Sequence, residues 1–138
     1  MKNEIILSFG ISGFNDISHQ DLTELIGMNP ALVFIKKQDN NDPVATRQNA
    51  WIMASDKATT ASFEEQMNYF IDVLESKIDV FRPLSHKYCC EFSCAVTLYT
   101  GNGESMPRVH LNSRYNNISK ALNLSFDFEI YSWPDDED

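Results

Sequence analysis

The chain has 138 residues, 43% of them hydrophobic, with nine Phe, five Tyr and two Trp, and a formal net charge of −9. That aromatic content excludes disorder, and the length suits one domain burying about two-thirds of the surface its unfolded chain exposes. An acidic surface repels phosphate backbones and no apolar run is long enough for a bilayer, so neither nucleic acid nor membrane is expected as a partner.

Three cysteines cannot complete a set of bridges, and the N-terminal MKNEIILSFGISGFND lacks the basic start, long apolar core and cleavage site of an export signal. A cytoplasmic location is the expectation.

Glu4 to Gly10 mixes alternation with a β-branched run and reads as a buried first strand ending at the glycines 10 and 13. Ser18 and Asp21 then form the start of a helix, with Ile17 placed to staple onto Leu22, and Gly27 followed by Asn29-Pro30 ends it. ALVFIKK, residues 31 to 37, is a short apolar strand closing on two lysines, as at a sheet edge. After the polar loop QDNNDPVAT, the segment RQNAWIMAS alternates, with Arg47, Asn49, Trp51 and Met53 on one face.

Ser62 and Glu65 mark a capping box that opens the clearest helix, whose stripe is Phe63, Met67, Phe70, Ile71 and Leu74. It should end near Lys77, with Ile78 to Leu84 adding a short turn broken by Pro83. In CCEFSCAVTLYT, Cys90, Phe92, Cys94, Val96 and Leu98 share one face, so Cys90 and Cys94 behave as small core hydrophobes and Cys89 lies on the other side. His86 and Cys89 cannot supply the four ligands of a structural zinc, and no metal or cofactor is expected.

TGNGESMP is a turn-rich loop leading to RVHL, a short strand or an approach to the last helix. That helix starts near Ser113, buries Tyr115, Ile118 and Leu122, and stops at Asn123. LSFDFEIY then alternates, with Leu124, Phe126, Phe128 and Ile130 inward and Ser125, Asp127, Glu129 and Tyr131 outward. The expected fold is α+β: one mainly antiparallel sheet of about five to six strands with helices on one face, spanning residues 1–132, and an acidic tail over 133–138.

Several of these segments together resemble the bacterial family of proteins known as domain of unknown function 4279. The resemblance rests on F-x-I-S-G at Phe9 to Gly13, L-x-x-L-I-G-M-N-P at Leu22 to Pro30, R-x-x-x-W at Arg47 to Trp51, the FEEQMNYFIDVLESK helix, and L-x-x-D-x-E-I-Y at Leu124 to Tyr131. It implies no particular reaction, and small acidic proteins of this type often sit beside bacterial toxins.

Two groups of residues are candidates for binding. Arg47 and Trp51 either stack as packing at a sheet margin or hold a partner's carboxylate; Asp127, Glu129 and Tyr131 form either a solvated face or an acidic platform for a basic protein. No histidine is tied to a nucleophile by sequence. The expectation is a non-enzymatic binding protein, an immunity protein that neutralises a basic protein toxin by occlusion. The alternative is a small-ligand or regulatory domain using Arg47 and Trp51.

Overall fold

A computed structural model describes residues 1–37 and 48–135. The elements run β1 (Glu4–Ser12), α1 (His19–Ile26), β2 (Leu32–Phe34), β3 (Ala50–Ala54), α2 (Phe63–Ser76), α3 (Ile78–Lys87), β4 (Cys89–Thr100), α4 (Ser113–Leu122) and β5 (Ser125–Pro134). The strands form one five-stranded sheet in the order β2-β3-β1-β4-β5. Three neighbouring pairs are antiparallel, while β4 and β5, joined through α4, are parallel. The α+β class, the strand number and the mainly antiparallel pairing are those expected from the sequence.

Alternation places the core. Ile5, Leu7, Phe9 and Ile11 of β1, Trp51 and Met53 of β3, and Cys90, Phe92, Cys94 and Val96 of β4 are all buried on the face that carries the helices. The stripes of α2 and α4 meet them through Met67, Phe70, Leu74, Tyr115, Ile118 and Leu122. Phe92 is the hub, with ring centroids 5.2 Å from Phe9, 5.6 Å from Phe70 and 5.9 Å from Tyr115. Such edge and tilted contacts add about 0.5–1.5 kcal/mol each to the burial of the rings.

Local chemistry sets the helix ends. Ser18 and Asp21 make the reciprocal capping box, and Gly27 ends α1 at φ 76°, a left-handed conformation open to glycine without strain. The Ser62 hydroxyl accepts from the Glu65 amide at 3.1 Å, and Asn123 closes α4 at φ 51°.

Two details depart from the sequence reading, and a third settles an alternative. Helix α3 continues to Lys87 through Pro83 instead of breaking there. Pro83 and Asp79, whose carbonyl loses its donor, are both exposed to water, while Phe81, Leu84 and Ser85 on the other side are buried. A proline inside a helix costs about 3 kcal/mol, and burying Phe81 and Leu84 at about 1.5–3 kcal/mol each offsets it. Of the two forms expected for RVHL, it takes the approach to α4 and not the strand. Finally, β5 extends beyond residue 132 to Pro134, and Asp135 pairs its carboxylate with the Met1 amine at 3.0 Å, so the ordered unit includes positions assigned to the tail.

One buried polar side chain joins the helix layer to the sheet. Strand β3 pairs with β1 only from Ser8 to Ser12, which leaves Ile5 and Leu7 without a strand on that side. The Gln66 amide of α2 fills the gap: it donates to the Ile5 carbonyl at 2.9 Å and accepts from the Leu7 N–H at 3.3 Å, and the Ile5 N–H reaches the Thr59 carbonyl at 2.8 Å. Gln66 is 2% exposed. Replacing it with leucine of similar size strands buried backbone groups, and Gln66→Leu should lower the free energy of unfolding by about 1–3 kcal/mol in a urea titration.

At the far end of the sheet, the Asp16 carboxylate accepts hydrogen bonds from Lys87 and Tyr88, tying the turn after β1 to the end of α3. These bonds, Lys87 first, pull the Asp16 pKa from 3.8 down to about 2. A carboxylate depressed in the folded state contributes its stability above its unfolded pKa, and that contribution fades as pH falls from about 4 through about 2. The group is exposed, so the effect is small. Asp16→Asn should flatten that acidic limb in a pH series of thermal unfolding.

Candidate functional site

The helices cover one side of the sheet, and among the described residues no helix packs on the other. Register lines up its open face in rows. One row runs Leu32, Ile52, Gly10, Glu91 and Ser125; the next runs Ala54, Ser8, Ser93 and Asp127; then come Ile6, Ala95 and Glu129, followed by Glu4, Thr97 and Tyr131. Small residues occupy the middle because β1, β3 and β4 contribute Gly, Ser and Ala at their outward positions. The result is a shallow groove of about 190 Å³ with Ser8, Gly10, Ala50 and Ser93 on its floor and Phe34, Ile52 and Glu91 at its margins.

Charge is confined to one sign. Glu4, Glu91, Asp127 and Glu129 all stand on this face, and none of its described strand positions carries Lys or Arg. Tyr131 donates its hydroxyl to the Glu129 carboxylate. That bond, with the negative charges of Glu129 and Asp127, raises the Tyr131 pKa, so the phenol stays protonated and the ring is held beside the Glu129 carboxylate. Tyr131 and Trp133, 44% and 56% exposed, stand beside the carboxylates.

The structure separates the two candidate groups read from the sequence. Asp127, Glu129 and Tyr131 lie together on the outward face of β5. Trp51 is wholly buried on the opposite face, and its indole N–H donates to the Thr23 hydroxyl at 3.1 Å. It is a core residue that offers no surface to a partner, and Arg47 lies outside the described residues. The inward reading of β5 needs correction beyond Phe126. Phe126 packs on Phe63 and Tyr115, at 6.2 and 5.9 Å between centroids, but Phe128 and Ile130 are 42% and 58% exposed. They lie on the helix side, beyond the reach of the described helices.

A roomier concavity than this groove lies elsewhere. A cleft of about 390 Å³ separates the start of α2 from the irregular segment before α4 and is lined by Ser62, Phe63, Glu64, Arg108, His110 and Asn112. Sequence reading missed it because residues 104–112 follow no period. The histidines are dispersed: His19 contacts the Phe34 carbonyl at 2.8 Å, and His86 and His110 lie on separate segments. No three His, Cys, Asp or Glu side chains converge as a metal site among the described residues, and none of the described helices is long and apolar enough to cross a membrane.

Fold and face together define a small α+β domain with a one-sided helix layer and an open acidic sheet. Residues 3–133 match the family described as Domain of unknown function (DUF4279), and the chain belongs to that family. No curated protein and no solved structure matches it.

The cysteines divide as their strand face dictates. Burial pushes the Cys90 thiol up to about 12 and the Cys94 thiol up to about 11, whereas Cys89 is exposed. Since the thiolate is the reactive form, a thiol reagent at neutral pH should modify Cys89 alone in the native protein and all three after denaturation, as counted by mass spectrometry.

Proposed function

We propose that this protein is a non-catalytic binding domain that receives a basic protein on the open face of its sheet. The carrying observation is the alignment of Glu91, Asp127 and Glu129 beside exposed Tyr131 and Trp133 on a face whose described strand positions hold no cation. Carboxylates attract a basic surface over long range, and tyrosine and tryptophan supply rigid anchors once contact is made. The partner in this reading is a bacterial toxin neutralised by occlusion, supported by the small acidic domain and by the lack of a convergent nucleophile and base among the described residues.

The small-ligand alternative moves away from Trp51. What favours it is the cleft at Arg108 and His110, where a cation and an imidazole face the start of α2. Loss of small-molecule binding on Arg108→Ala, with protein binding intact, would support that second reading over the first.

With the cognate partner identified by co-purification, association should slow steeply as ionic strength rises. The double variant Asp127→Lys/Glu129→Lys should reduce the association rate at least tenfold while leaving the unfolding midpoint within about 0.5 kcal/mol of the parent, since both positions are exposed. An unchanged association rate in stopped-flow mixing would remove β5 from the interface.

A further inference from the structure

The two edges of the sheet differ in a way that bears on how a partner attaches. The β2 edge has three residues, Leu32–Phe34, and after Ile35 the chain carries Lys36 and Lys37, so the edge is short and has charge close behind it, features that resist further pairing. The β5 edge is the reverse. It runs ten residues in unbroken register with β4, from Glu91 opposite Ser125 to Thr100 opposite Pro134, without a bulge. It holds no lysine or arginine, and its one proline is the last residue. No described strand lies outside it.

In a strand paired on one side, every second residue turns its N–H and C=O outward. Along β5 those groups lie between two different side-chain rows. The open face carries Asp127 and Glu129, and the helix face carries the exposed Phe128 and Ile130. A strand laid alongside would place its own alternate residues about 4.5–5.5 Å from these rows. Cations would then fit on one face and apolar side chains on the other. A second copy of this chain offers the acidic row no cations, because β5 holds no lysine or arginine, and an antiparallel β5 pair that sets Asp127 opposite Glu129 brings carboxylate against carboxylate.

We infer that the partner docks as an extended segment of alternating basic and apolar residues, added as a sixth strand along the outer edge of β5. The inference rests on the binding reading above and specifies its geometry: backbone hydrogen bonds supply affinity, and the Asp127–Glu129 and Phe128–Ile130 rows select the sequence.

A synthetic peptide of about eight alternating lysines and valines is a direct probe, compared with its isomer of blocked composition and with two versions N-methylated at alternate amides in opposite phase. The full-length protein should bind the alternating peptide at least tenfold more tightly than the blocked isomer. One methylation phase should abolish binding and the other preserve it, and hydrogen exchange should slow at alternate β5 amides. Equal binding of the blocked isomer, or indifference to both methylation phases, would overturn strand addition. The acidic-face reading would survive that result if Asp127→Lys/Glu129→Lys still weakened binding. No binding of the alternating peptide, or β5 amides already protected in a dimer without it, would also overturn the inference.

Discussion

The structure depends on how β1 is completed where β3 stops short. A central strand whose backbone groups are buried needs a partner on both sides, and here the amide of Gln66 and the carbonyl of Thr59 take the place of the missing strand residues. The substitution fixes the position of α2 along the sheet, because an amide can bridge the Ile5 carbonyl and the Leu7 N–H in only one register. With α2 fixed, Phe70 meets Phe92, and α3 and α4 pack beside it. These helices share one side of the sheet, and among the described residues no helix covers the small outward residues of β1, β3 and β4.

Electrostatics reinforces that division. On the helix side, Arg114 of α4 holds Glu75 through two hydrogen bonds of 3.1 Å and also reaches Asp72, so acidic residues of α2 are neutralised locally. Among the described residues, the carboxylates of β5 have no such arginine among the strand positions of their face. A surface that balances charge where elements pack and leaves it concentrated on an exposed strand has its field directed outward from that strand.

How much was legible in the sequence depended on whether a residue's environment is local. Period two along β4 identifies its buried cysteines, and Ser18, Gly27 and Asn123 mark helix ends, because alternation and capping are decided within a few residues. Pro83 shows the limit: local chemistry predicts a break, but Phe81 and Leu84 on the buried side hold the helix together. Phe128 and Ile130 alternate as core residues should, yet their burial depends on whether a helix reaches that far, which no strand pattern encodes. Trp51 has the same ambiguity in reverse, since alternation gives its face but not whether that face lies inside. Gln66 sits in an apolar stripe as an apparent polar interruption, and its role emerges only from the length of β3.

The order of the strands also bears on synthesis of the chain. Strand β1 lies at the centre, yet one neighbour begins at Ala50 and the other at Cys89. At translation rates of about 5–20 residues per second, the apolar segment EIILSFGIS therefore waits on the order of 4–15 seconds for its longest ladder to be made. During that interval it lacks its β4 partner and presents an aggregation-prone edge, so the length of its exposure is set by sheet topology, and slowing the ribosome between β1 and β4 would lengthen the hazard.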